Sequence, residues 1–529
     1  MKRLFLTAAA FMLLTGCFSF NDNRDVSTPL PETETAAAPT PTLPPAAPVK
    51  GGTLRIPMRA PQTLNPLLNE DASVDTVLKL LFEPLIVLDA NFKPVPNLAS
   101  FNFASDGMSV TVTLRDGLKW SDGSAITSDD IAFSLDTLRS APDKAVYKDC
   151  AADISPAYTI LDDKKIKLLF LQPYSGMAYQ FCFPVISKQY YEGQTDPGSD
   201  INMKPMGDGL YVFSSYNSLK DMKLNFNPDT YRQNPYIPTI DAVIAPDQQT
   251  ELNAFDQRLI DVVSAELAEW GRYRNNTNTN IDEYTTMYYD FIGFNFNNET
   301  LAKLDVRQAI AHAVNVPDMI TNIYLGHALQ AFTPVNPDSW LFEPDVDKYD
   351  YNLDTAAALM NKTGNYNGQT LRILVNNEND ERVKIADILN ANLTKIGVKT
   401  SLVSTDYTDY LNKLSQKDYD IFIGGLNLSP APDLAFAFGS ANGADNMFSY
   451  KDDTMNALLA TAFTAIGPAN YQKAMSDLQK YISGQLPCVS LVFRKSAMLS
   501  SVGVMGDKHP VMSNIYANIN QWFILKGLN

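Results

Sequence analysis

The sequence predicts an α/β fold with more than one lobe, and three observations carry that reading. From residue 369 to residue 426 strand and helix patterns alternate as β-α-β-α-β, an order that implies a parallel sheet covered by helices. The first half has another rhythm, in which short alternating strands run into or out of Gly-bearing turns. The chain has 529 residues, 45% of them hydrophobic, which is room for two or three lobes.

Lys2 and Arg3 form a short positive n-region, and Leu4 to Leu14 is apolar apart from Thr7. A bilayer span needs about 20 apolar residues, so this run is too short to cross and fits the h-region of a signal peptide. Leu14, Thr15 and Gly16 precede Cys17 and resemble the bacterial lipobox, in which the cysteine thiol takes a diacylglycerol and becomes residue one after cleavage. That resemblance implies a lipoprotein signal over 1–17 and a protein held on a membrane outside the cytoplasm by lipidated Cys17. The simpler alternative is an ordinary signal peptide with an incidental cysteine. "STPLPETETAAAPTPTLPPAAPVKGG" follows, rich in Pro, Thr and Ala and unable to form a core. Residues 18–51 therefore read as a semi-rigid tether.

"GGTLRIPM" reads as the strand entering the body, and "VDTVLKLLFEPLIVLD" as a helix running into a strand. In "MSVTVTLRDGLKWSDG", Val110, Val112 and Leu114 alternate with polar residues before the Asp116-Gly117 turn. Thr127 with Asp130 resembles a capping box ahead of the stripe Ile131, Leu135 and Leu138. "KKIKLLFLQPY" is a further strand, and "PMGDGLYVFSSY" a turn into one. "DVRQAIAHAVN" places Val306, Ile310, Ala313 and Val314 on one helical face. The strand "QTLRILVNNEND" leads to a helix carrying Val383, Ala386, Leu389, Leu393 and Ile396 inward and stopped by Gly397. "VKTSLVST", "YTDYLNKLSQKD" and "YDIFIGGL" complete the alternation. Ligands of parallel sheets gather beyond the carboxyl ends of the strands. That rule singles out Asn376, Asn377 and Glu378 after one strand, and Leu426, Asn427 and Ser429 after another; otherwise these are ordinary surface loops.

A net charge of −17 argues against a nucleic-acid partner, since phosphate binding needs a basic face. The chain has three histidines, without zinc spacing and without HExxH, so neither a metal site nor a cofactor is expected. No G-x-S-x-G elbow occurs, and Asp129-Asp130 and Asp452-Asp453 read as helix starts, which disfavours an exported hydrolase. Cys150 and Cys182 are either a disulfide permitted by export or two buried thiols beside Cys488.

Several segments together resemble the bacterial extracellular solute-binding proteins of family 5, which include the oligopeptide, dipeptide and nickel binders of ABC importers. They are "LNPLLNEDASVDTVLKLLFEPLIVLDANFKPVPNLA", "VTLRDGLKWSDGSAITSDDIAFSLDTL", "PMGDGLYVFSSY", "FIGFNFNNETLAKLDVRQAIAHAVN", "YDYNLDTAAALMNKTG", "IADILNANLTKIGVKTSLV" and "YDIFIGG". The resemblance implies a two-lobed clamp of the type II periplasmic-binding-protein kind, with an extra domain inserted in lobe one. Lobe one is placed at 52–85, 207–289 and 496–529, the inserted domain at 86–206 and lobe two at 290–495. The two crossings near Tyr289–Asn295 and Leu491–Arg494 are the expected hinge. The implied partners are an oligopeptide or other small polar solute and an ABC permease, with the binding protein itself a monomer. A surface receptor or sensor of the same fold is the second reading.

Peptide binders of this family carry Trp-x-x-Asp after the strand that here reads "YDIFIGG". By register those positions are Leu426 and Ser429, so the acid for a peptide amino terminus is missing and Asp433 is shifted. Ser73 and Asp75 lie in the opening loop that touches ligand in the family. Tyr289 and Arg494 stand at the crossings, Arg494 either for a ligand carboxylate or for a hinge salt bridge. Trp120, on the Asp–Gly turn, is a further candidate, with core packing as its simpler reading.

Overall fold

The strand Thr53–Met58 is the first regular element of the body, and residues far along the chain complete its sheet. It pairs in parallel with Thr239–Ile244, which pairs with Asp221–Phe226 and then Tyr211–Asn217. The computed structural model describes residues 47–362, 364–440 and 446–525. The signal segment, Cys17 and the tether up to residue 46 lie outside the described residues.

Between the first two of these strands the chain builds a second sheet. Ala99–Phe103, Ser109–Leu114, Lys165–Phe170 and Ile154–Asp162 pair antiparallel in that order. Val110, Val112 and Leu114 turn inward, as their two-residue period requires. The helix Ser128–Ser140 lays Ile131, Leu135 and Leu138 on the same core, all with no exposed surface. A carboxylate oxygen of Asp130 accepts the Thr127 amide at 2.8 Å, which satisfies an otherwise orphaned group at the helix start. One hydrophobic core joins this sheet to the first.

The third sheet has seven strands. Leu371–Asn376 lies parallel to both Thr400–Thr405 and Ile421–Asn427, with the helices Asp380–Lys395 and Tyr407–Gln416 in the crossovers. The first helix buries Ala386, Leu389 and Leu393 as its pattern predicts, but also Ile385, while Val383 is half-buried. Gly397 ends it at φ 83, a conformation open to glycine at no steric penalty.

Two long strands run the length of this sheet. Thr279–Phe294 and Cys488–Ser501 pair antiparallel along most of their course. Near their ends the first also pairs with Ile421–Asn427 and the second with Val262–Ala265 and Ala328–Gln330. Along Thr279–Phe294 alternate residues enter different cores: Ile292 and Phe294 face one side, and Met287, Tyr289 and Phe291 the other. The shared register breaks twice, between the Thr285–Lys495 and Tyr289–Phe493 pairs and again between the Asp290–Val492 and Phe291–Ser490 pairs. At the first break four steps on one strand span two on the other, an irregularity of the β-bulge kind.

Contacts also join the second sheet's region to the third. The Tyr179 hydroxyl donates to the Phe92 carbonyl at 3.0 Å and accepts from the Trp340 indole at 2.9 Å. Asn91 Nδ2 reaches the Asp338 carbonyl at 2.9 Å.

Candidate functional site

Two parallel strand pairs, one in the first sheet and one in the third, end in loops of the kind that form a crevice in open α/β sheets. In the third sheet Leu371–Asn376 and Ile421–Asn427 end side by side, and the chain leaves them through Asn376-Asn377 and Asn427-Leu428-Ser429. In the first sheet Thr53–Met58 and Thr239–Ile244 end together, and the chain leaves through Arg59 and towards Asp247. Both are the positions where open α/β sheets take ligands.

At the strand ends of the first sheet Asp71 caps the helix Ala72–Leu78, its carboxylate accepting the Ser73 amide at 2.8 Å. The Ser73 hydroxyl in turn accepts the Arg59 amide at 3.2 Å. Asp75 lies one turn on, 3% exposed, and pairs with Lys79 at 2.7 Å through one oxygen while the other has no partner. It lines a cavity of about 340 Å³ that also includes Glu83, Tyr147, Arg232 and Asn514. Arg232 and Glu83 pair across it at 2.8 Å.

At the strand ends of the third sheet Asn377, Asn427 and Ser429 are exposed and Leu426 is half-buried. Asn376 is buried, and its side-chain oxygen has no partner. Leu426 stands opposite Tyr289, and Asn427 opposite Tyr288, whose ring is 49% exposed. Asp433, near the position where an acid was sought, spends an oxygen on the Ala435 amide at 2.9 Å.

Two predicted site residues sit in packing environments. Trp120 is 1% exposed within the first core, so its bulk serves packing there. Tyr289 is 2% exposed; its hydroxyl hydrogen-bonds Ser490 Oγ at 2.6 Å, and burial pushes its phenol up. Arg494 lies at the first register break and donates Nε to Asp290 at 2.6 Å. Burial opposes its charge, but Asp290 outweighs burial and holds the guanidinium above its ordinary value.

Asp290, Arg382 and Glu251 were not singled out in the sequence. Asp290 is 1% exposed and takes Arg494, Arg382 Nε at 3.0 Å and the Tyr324 hydroxyl at 2.9 Å. A signal was present: one acid inside "YYDFIGF" is a charge that the strand must bury, and a buried charge needs partners. Glu251 is 6% exposed in the first turn of the helix Gln248–Asp256, and burial pushes its carboxyl up to about 7. Its position four residues after the Asp247 cap looks like an ordinary dipole complement, which conceals it. The three described cysteines are free thiols, and among the described residues no group of acidic, histidine and cysteine side chains is placed to hold a metal ion.

Separate hydrophobic cores bridged by two long strands define a two-lobed α/β fold. The model of the bacterial extracellular solute-binding proteins, family 5 (Middle) matches residues 93–448, and the chain belongs to that family, the solute-binding components of ABC importers. It is 23% identical over 512 residues to the oligopeptide-binding protein AppA of Bacillus subtilis, covering 90% of this chain and 93% of that one. Among solved structures it resembles the ABC transporter substrate-binding protein CtaP of Listeria monocytogenes, with TM-score 0.76 and 22% identity over 90% of this chain and 99% of that one. It also resembles AppA of Bacillus subtilis in complex with a nonapeptide, with TM-score 0.61 and 22% identity over 91% of this chain and 100% of that one. Among the described residues no helix is long and apolar enough to cross a membrane.

Proposed function

We propose that this protein is the membrane-anchored, extracytoplasmic capture component of an importer, closing two lobes on a peptide or similar small polar solute and presenting it to a permease. The observation that supports this reading is the two long strands that bridge separate hydrophobic cores, with parallel-strand ends in the sheets on either side. A solute touching the strand ends on both sides binds the closed form better than the open one and shifts the population towards it. Ser73 and Asp75 would contribute from the first lobe, and Asn376, Asn377, Leu426, Asn427 and Ser429 from the second, with Arg494 and Tyr289 at the hinge. The body would act as a monomer, held by lipid on Cys17. The lower score against the nonapeptide complex, at equal coverage, fits a chain whose lobes are set differently from a loaded clamp.

The test is native mass spectrometry of the purified chain together with small-angle scattering before and after adding the solute that co-purifies. The reading expects a small polar guest released on unfolding and a smaller radius of gyration when it is restored. A chain that carries no guest, and whose scattering is unchanged by every peptide and nutrient mixture, would refute it.

A further inference from the structure

The helix Ala72–Leu78 and the strand Ile86–Leu88 wall a cavity of about 340 Å³. Every lining residue lies within 66–232 or 511–518, and none belongs to the third sheet. Part of the wall is apolar: Leu78, Phe82 and Ile86 are each at most 3% exposed. Two ion pairs occupy the polar part. Asp75 holds Lys79 at 2.7 Å, and Glu83 holds Arg232 at 2.8 Å. Glu83 is complete, because its other oxygen accepts Asn97 Nδ2 at 2.9 Å. Asp75 is not. It is 3% exposed, and no donor, the Tyr147 hydroxyl in the same wall included, completes its second oxygen. A buried carboxylate oxygen without a donor is costly, and its retention calls for a reason. Lys79 and Arg232 each spend only part of their N–H capacity on their acids, an ammonium having three donors and a guanidinium five.

These groups restrict the guest. Two acids and two bases balance, so a guest of one sign would leave a charge uncompensated, whereas a guest carrying both signs leaves none. A dry cavity of roughly 150 Å³ holds benzene, so this one has space for a ring and a doubly charged head. We propose that the cavity is a second binding site, taking a free α-amino acid with an apolar side chain. The ammonium completes Asp75, the carboxylate takes the spare donors of the two bases, and the side chain lies against Leu78, Phe82 and Ile86. The site needs neither the proposed clamp nor its closure, since no strand of the third sheet lines it.

The experiment is equilibrium dialysis of the purified full chain against labelled phenylalanine, with phenethylamine, 3-phenylpropionate and tetra-alanine as competitors. Phenethylamine keeps only the ammonium and 3-phenylpropionate only the carboxylate. Each is expected to compete about tenfold more weakly than unlabelled phenylalanine, having lost one set of charge-assisted bonds. Tetra-alanine is expected not to compete. Ala517 lines the cavity and has no place in the clamp, and Ala517→Leu is expected to abolish phenylalanine binding by filling the space. Asp75 is shared with the first-lobe reading, and Asp75→Asn is expected to weaken phenylalanine about tenfold; if Ala517→Leu does not fold, this variant and the wild-type competitor series decide. Absence of phenylalanine binding, unchanged affinity in Ala517→Leu, or equal competition by phenethylamine overturns the site. Competition by tetra-alanine would seat phenylalanine in the clamp and overturns it as well. Labelled tetra-alanine that binds nowhere would count against the peptide reading alone and leave this site standing.

Discussion

Arg494 donates its Nε to Asp290 at 2.6 Å, and these two residues stand on neighbouring crossing strands where the shared register breaks, Asp290 lying between the two breaks. The carboxylate has 1% of its side-chain surface exposed and the guanidinium 20%. Arg382 closes on the other oxygen from the helix Asp380–Lys395, so one buried acid ties both crossing strands to the second lobe.

Replacing that acid should be severe. Asp290→Ala leaves two guanidiniums and the Tyr324 hydroxyl without their acceptor, and breaking a buried pair from one side costs about 3–5 kcal/mol. A urea midpoint equal to that of the wild type would show that the cluster contributes nothing.

Gly425 makes room for the same cluster. A Cβ at that position would lie 1.7 Å from Arg382 Nη2 and 2.7 Å from Asp290 Oδ1. Gly425→Ala should push Arg382 off Asp290 and lower stability by about 1–3 kcal/mol, the usual range for overpacking. The combined variant Gly425→Ala/Arg382→Ala should then lose less than the sum of its parts, as coupled neighbours do. Strict additivity in melting experiments would contradict this account.

Glu251 gives the fold a pH dependence of unusual sign for a carboxylate. Its folded value of about 7 exceeds the unfolded one, so the neutral acid is the form that the fold prefers. The stabilising contribution is complete below pH 4 and is lost as pH rises through 7, a difference of about 3 kcal/mol. Glu251→Gln mimics the neutral acid and should make the ligand-free chain more stable than wild type at pH 8 but not at pH 4. A variant equally or less stable at pH 8 would remove the basis for this shift.

The contact at Trp340 should be measurable by hydrogen exchange. Trp340→Phe removes the indole donor to Tyr179 while keeping an aromatic ring, a loss of about 0.5–1.5 kcal/mol. The turn at Asn91 and Phe92, held by Tyr179 and by Asp338, should then exchange faster, whereas the helix Ser128–Ser140 should not change.

Cys150, Cys182 and Cys488 should resist alkylation in the native state. Burial pushes each thiol up to about 12, so little thiolate is present at pH 8. Iodoacetamide should label them only after denaturation, and mass spectrometry of the denatured, unreduced chain then counts how many are free. Rapid labelling of the folded chain at pH 8 would contradict the burial.

Wherever one local pattern decides a structure, the sequence was sufficient. The alternation from 369 to 426 fixed a parallel sheet, since strand, covering helix and strand leave few other arrangements. The stripe Ile131, Leu135 and Leu138 fixed a buried helix face for the same reason. That Asn376-Asn377 and Asn427-Ser429 stand at the ends of strands of this sheet was legible from the same alternation. Tertiary structure decided whatever depends on partners distant along the chain. Arg494 and Asp290 are 204 residues apart, and Glu251 acquires its surroundings from Arg59, Asp71, Glu269 and Tyr516. Charge and burial are properties of such assembled neighbourhoods, so no spacing within one segment could reveal which carboxylate is paired and which is left open.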